Sequence, residues 1–220
     1  MAGFLKSSIG KKVVMSLSGV FLIMFLAVHL TINLLTLVGS DTFNAAAHFM
    51  GTNPAMKILE LVLALGFLFH ILYSIVLTIG NMKARPVRYK VATSGISSTW
   101  ASRNMFVLGA VILLFLVLHL TNYYIKFKFT DLIESGKATE YDVVVALFSV
   151  KNWYYVLIYI VWFIFLVLNL NNALRSALHT IGLNNKVWEC RLKRLSALYA
   201  IVITIGFTSI PVYFLLQELL

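Results

Sequence analysis

Charged residues are absent from five long stretches of the chain: Val13 to Leu37, Leu61 to Gly80, Asn104 to Ile125, Asn152 to Leu174 and Leu195 to Gln217 hold no Asp, Glu, Lys or Arg. A hydrocarbon layer about 30 Å thick is crossed by about 20 helical residues, so each stretch is long enough to span it. Leucine, isoleucine and phenylalanine fill these stretches without period-two alternation, which argues against outer-membrane strands and for helices whose backbone polar groups pair internally. The expected fold is all-α: an integral membrane bundle of five transmembrane helices at about residues 13–37, 58–80, 104–126, 152–180 and 195–217, forming one domain over 1–220. The first span follows Lys11 and Lys12 and contains Ser16, Ser18, His29 and Asn33, unlike the short apolar core of a cleaved signal peptide, so it is expected to persist. Pro211 is expected to kink the last helix.

Composition agrees with this pattern. The chain is 60% hydrophobic and 12% charged, with mean hydropathy +0.91, which excludes an ordinary water-soluble domain. A single cysteine excludes an internal disulfide, a CxxC zinc site and a cysteine-ligated iron-sulfur cluster. The net charge of +10 reflects basic loops, and no nucleic-acid motif, phosphate loop or internal repeat accompanies it. Lys6, Lys11 and Lys12 precede the first span, Lys83, Arg85, Arg88, Lys90 and Arg103 separate the second from the third, and Lys186, Arg191, Lys193 and Arg194 separate the fourth from the fifth. The acids Asp41, Asp131, Glu134, Glu140 and Asp142 occupy the other two loops. The positive-inside rule therefore predicts a cytoplasmic N-terminus and treats 81–103 as a cytoplasmic connector. Trp153, Tyr154 and Tyr155 read as an interfacial belt on the other side.

Five histidines remain to be explained. His48 falls in an outer loop, where a solvated or capping role suffices, but His29, His70 and His119 lie well inside spans, where ionisable side chains are costly and mark function by default. At 1.5 Å rise per residue, the 17 residues from Lys12 to His29 and the 16 from Arg103 to His119 cover roughly 25 and 24 Å, so the two imidazoles sit level. Two imidazoles at one depth on two helices match the axial needs of a six-coordinate haem. His70 lies 13 residues, roughly 20 Å, from Lys83, and its level partner on the fourth span is Asn172 rather than histidine. His179 shares the face of Asn172 about 10 Å nearer the cytoplasm, either as a displaced ligand or as an interfacial histidine at a helix C-terminus. Gly66, one turn before His70, suits either a flat ligand or close helix contact. Arg175 either snorkels to the interface or pairs with a haem propionate. Asn33 and Ser74, four residues after His29 and His70, are candidate hydrogen-bond partners of those rings or of their own helix backbone.

Six long runs stand out: SSIGKKVVMSLSGVFL at Ser7 to Leu22, HLTINLL at His29 to Leu35, NMKARPVRY at Asn81 to Tyr89, SSTWASRNM at Ser97 to Met105, VLHLTNYYIKFKF at Val117 to Phe129 and SALHTIGLNNK at Ser176 to Lys186. Together they resemble one family, the cytochrome b558-type membrane subunit of succinate dehydrogenase and fumarate reductase in its Bacteroidetes-like form. The resemblance covers nearly the whole chain. It implies a five-helix anchor in the bacterial cytoplasmic membrane that binds haem b and menaquinone. Its partners would be the flavoprotein and iron-sulfur subunits of the complex, docked on the cytoplasmic side, and it would carry respiratory electrons released in the tricarboxylic acid cycle. It also implies that His29 and His119 form one axial pair and that His70 belongs to a second. The family's stretch resembling FHLxHGFQSAFQTLG reads LNLNNALRSALHTIG here, with Asn169 and Asn172 at the histidine positions and His179 at a glutamine position. Three outcomes follow for the second haem: it is absent, it is held with His70 as its strong ligand, or it is shifted onto His179.

The chain has no dinucleotide fingerprint and no soluble polar cluster, so dehydrogenation of a dicarboxylate belongs to another subunit. Ser16, Ser18, Arg103 and Arg175 are quinone candidates near the cytoplasmic ends, and residues 33–44 are candidates near the outer face. A purely structural anchor is the alternative. A small transporter with a histidine relay fits less well, because paired intramembrane acids, inverted repeats and matching broken spans are missing. A di-iron oxidase would need clustered HxxxH boxes, which are absent.

Overall fold

The computed structural model describes Gly3 and residues 7–84, 100–183 and 185–220. Lys6 and the connector residues Arg85, Arg88 and Lys90 lie outside them, as does the side chain of Lys186. The described residues are helical with no strand, and five helices are long and apolar enough to cross a membrane. The first span is α1, Ser8–Leu34, prolonged by a 3-10 turn at Leu35–Leu37. A short α2, Ser40–Thr52, leads to the second span, α3, Pro54–Ala84. After a turn of helix α4, Trp100–Arg103, the third span comprises α5, Met105–His119, a π-helical turn at Leu120–Tyr124, and α6, Ile125–Phe129. A short α7, Glu140–Leu147, precedes the fourth span α8, Trp153–Thr180, and the fifth, α9, Lys186–Leu219.

The helices overrun the charge-free stretches because caps, not the last apolar residue, set their ends. Ser7 accepts a hydrogen bond from the Gly10 amide at 3.0 Å and starts α1 ahead of Lys11 and Lys12. Asn53 accepts from the Ala55 amide at 2.9 Å beside Pro54, which sits in the first turn of α3, where its missing N–H costs nothing. Asn185 likewise accepts from Trp188 at 2.9 Å and carries α9 through Arg191, Lys193 and Arg194. Gly182, at φ +112°, ends α8 in a backbone conformation that side chains resist. Pro211 is buried inside a helix that continues through it.

Cross-helix contacts set the directions. Ser18 meets His70 and Phe21 lies on Gly66, so α1 and α3 are antiparallel. Tyr199 donates to the Ile23 carbonyl at 2.6 Å and Leu30 lies on Gly206, so α1 and α9 are parallel. Trp162 donates to the Val111 carbonyl at 2.8 Å and Phe115 meets Tyr159, so α5 and α8 are antiparallel. Lys11, Lys12, Lys83, Arg103, Arg191, Lys193 and Arg194 therefore share one end of the bundle. Helix α8 is central, packed by α9, α1 and α5, whereas α3 packs on α1 and α2 and buries no residue.

Gly66 receives the Phe21 ring: a Cβ there would stand 2.6 Å from Cε1, so the missing side chain serves helix contact. At Gly206 a Cβ would stand 2.7 Å from Leu30 Cδ2, and Leu30 is 5% exposed. Gly206→Ala is expected to displace Leu30 and destabilise the chain by about 1–3 kcal/mol, the usual cost of overpacking; an unchanged unfolding midpoint in detergent would contradict this close approach.

Helices α2 and α7 were not expected. They cover the end opposite the basic cluster, where Phe43 is buried and Asn44 accepts from the Tyr141 amide at 3.0 Å. A capping box starts α7: Thr139 Oγ1 accepts from the Asp142 amide while Asp142 accepts from the Thr139 amide at 2.8 Å.

Candidate functional site

The α1 and α5 directions bring His29 and His119 together. Their ring centres are 5.7 Å apart and the rings are nearly perpendicular, at 87°. With metal–imidazole bonds of about 2.0–2.1 Å and ring centres about 1 Å behind the bonding nitrogens, two imidazoles facing each other across one ion sit about 6 Å apart. The observed separation is close to that.

Aromatic rings from every span surround the pair. Phe25 stacks on His29 at 5.3 Å, with Phe67 of α3 edge-on to Phe25 at 6.0 Å, and Phe207 of α9 tilts against His29 at 5.8 Å. Phe115, Tyr123 and Tyr159 lie 5.8, 5.1 and 6.4 Å from His119. The apolar walls exclude water and leave His119 Nδ1 buried without a hydrogen-bond partner. An unpaired buried nitrogen costs about 1–3 kcal/mol. Two facing imidazoles inside an aromatic enclosure are a donor set of the kind a haem uses, its porphyrin supplying the other iron ligands. Among the described residues no group of three or more His, Cys, Asp or Glu could hold a bare metal ion.

The π turn at Leu120–Tyr124 begins directly after His119. Single π turns inside α-helices recur at functional sites. This one belongs to a span segment in which Asn122, 6% exposed, donates to the Tyr159 hydroxyl at 3.1 Å. Sequence reasoning missed Asn122, Tyr123 and Tyr159; the signal was a buried amide amid apolar residues, expensive in lipid unless paired. Asn33 does reach His29, but its amide donates to the His29 backbone carbonyl at 2.7 Å and stands 3.4 Å from both ring nitrogens. Its firm bond is to its own helix.

His70 lies elsewhere, against α1, with Nδ1 2.9 Å from Ser18 Oγ. Among the described residues no hydrogen bond joins it to Ser74, Asn172 or His179. His179 sits in the last turn of α8 with Nε2 buried and unpartnered. Arg175 pairs with Glu189 of α9 at 3.2 Å, so its guanidinium is engaged by a carboxylate of this chain. His48 is exposed on α2, and Trp153 and Tyr154 are exposed at the start of α8. Of the quinone candidates, Ser16 is half-buried, Arg103 is exposed, and Asn44 is engaged by Tyr141.

Comparison with protein-family models, with curated proteins and with solved structures finds no match to this chain.

Proposed function

We propose that this chain is the membrane-anchor cytochrome b subunit of a succinate:quinone oxidoreductase, passing electrons between an iron-sulfur subunit and menaquinone. The observation that carries this reading is the pairing of His29 and His119, from two different spans, at 5.7 Å inside an aromatic enclosure. The sequence runs that resemble the cytochrome b558 family support the identity of the complex.

Haem b supplies a one-electron couple within the apolar layer. His29 and His119 would be its axial nitrogens. Phe25, Phe115 and Phe207 keep water from them, and the Asn122–Tyr159 hydrogen bond fixes the wall beside His119. The basic end, with Lys11, Lys12, Lys83, Arg103, Arg191, Lys193 and Arg194, is on this reading cytoplasmic and faces the iron-sulfur and flavoprotein subunits. The membrane is the bacterial cytoplasmic one. His70 is the candidate ligand of a second haem, with His179 the candidate on α8.

Purified protein is expected to show a reduced-minus-oxidised haem b spectrum with a low-spin centre and, in a pyridine haemochrome assay, one haem per chain. No haem per chain would eliminate the cytochrome reading and leave a haem-free anchor of the same complex.

A further inference from the structure

Among the described residues, His70 is the one intramembrane histidine whose ring nitrogen hydrogen-bonds to a side chain of another helix. Its Nδ1 is 2.9 Å from Ser18 Oγ, and the same oxygen is 2.9 Å from the backbone carbonyl of Met15, one turn back on α1. A carbonyl oxygen cannot donate, and a serine hydroxyl has a single proton. If that proton goes to Met15, Ser18 can only accept from His70, and Nδ1 must carry the hydrogen. A neutral imidazole has one N–H, so Nε2 is then left as a bare lone pair. Among the described residues nothing hydrogen-bonds to Nε2.

We propose that Ser18 is the positioning residue of His70: its hydroxyl, spent on the Met15 carbonyl, selects the Nδ1–H tautomer and presents Nε2 as a coordinating nitrogen. The same logic operates wherever a ligating histidine donates its second ring N–H to a neighbour that fixes both ring orientation and basicity. The ring lies along α1 beside Gly19, where an added Cβ would stand 3.5 Å from His70 Cε1, an ordinary contact. The arrangement also explains why Ser18 is tolerated within an apolar span: both its donor and its acceptor capacity are used. Nε2 becomes a ligand for iron only where a second haem binds, and that role rests on the proposed function; the direction of the hydrogen bond does not.

The test is nitrogen NMR of full-length protein labelled with ¹⁵N-histidine, reconstituted in lipid, reduced to keep any haem diamagnetic, and held at alkaline pH. The His70 resonances are assigned by their loss in His70→Gln. The expected spectrum shows protonated Nδ1 and unprotonated Nε2 for His70. In Ser18→Ala the ring should either become a mixture of tautomers or, if iron holds Nε2, keep Nδ1–H with its proton signal moved upfield by loss of the acceptor. Ser18→Thr, which keeps the hydroxyl, should restore the original signals. A protonated Nε2 in the unaltered protein, or His70 signals indifferent to Ser18→Ala, would overturn the proposal. A haem assay reading zero would instead remove the cytochrome function while leaving the tautomer result standing.

Discussion

Replacing either His29 or His119 with alanine is expected to abolish the low-spin haem b absorbance while the chain still inserts in the membrane. The two rings share one enclosure at a centre-to-centre distance of 5.7 Å; Phe25, Phe115 and Phe207 cannot ligate iron, Asn33 is tied to the backbone, the Tyr159 hydroxyl is engaged by Asn122, and a phenolate from Tyr123 would not restore a bis-imidazole low-spin spectrum. Loss of one imidazole leaves a pentacoordinate or vacant site, and the low-spin signature needs both axial nitrogens. Insertion should survive because the first and third spans are each long and apolar enough to cross a membrane, and removing an imidazole makes them more apolar still. His119→Phe separates ligand loss from cavity formation, since it fills the volume and must also remove the signal. Unaltered absorbance in both alanine variants, read by difference spectra of membranes with matched protein content, would refute the axial assignment.

Asn172→His is expected to raise the haem content from one to two per chain. His70 meets Ser18 of α1, and the register of α1 on α9 (Ile23 with Tyr199) and of α9 on α8 (Glu189 with Arg175, Phe207 with Phe163) carries that depth to within about a turn of Asn172. His70 is already tethered to α1 through Ser18, and Asn172 is half-buried on α8, the helix at the centre of the bundle. An amide cannot replace imidazole as a strong axial ligand; a histidine there completes a second pair. Adding His70→Ala to Asn172→His should return the count to one. A pyridine haemochrome value that stays at one in Asn172→His would show that the second and fourth spans do not enclose a porphyrin at this depth.

Much of the architecture was legible because lipid imposes a simple demand: a chain crossing it must pair its own backbone polar groups, and 20 or so uncharged apolar residues announce where. The five spans follow from that rule. Their ends were less legible, since Ser7, Asn53, Asn185 and Gly182 set them by hydrogen bonding and backbone conformation rather than by hydropathy. Helices α2 and α7 escaped notice because they are too short for the rule, although Thr139 and Asp142 form a capping box that could have located α7. Within the candidate site, counting residues from the basic ends showed that His29 and His119 are level, because helical rise is constant. Helical rise says nothing about azimuth, and so the aromatic neighbours, the Asn122–Tyr159 bond and the Arg175–Glu189 pair were hidden.

Local composition was enough to give the helical class and the number and approximate limits of the spans, and a fixed rise per residue was enough to set His29 level with His119. Tertiary structure alone decided which faces meet. Helix packing in lipid is set by shape and a few polar contacts, not by a general aversion to solvent. Phe21 on Gly66, Leu30 on Gly206 and Ser18 on His70 fix the rotation of α1 against its neighbours, and with it which imidazole stands opposite which.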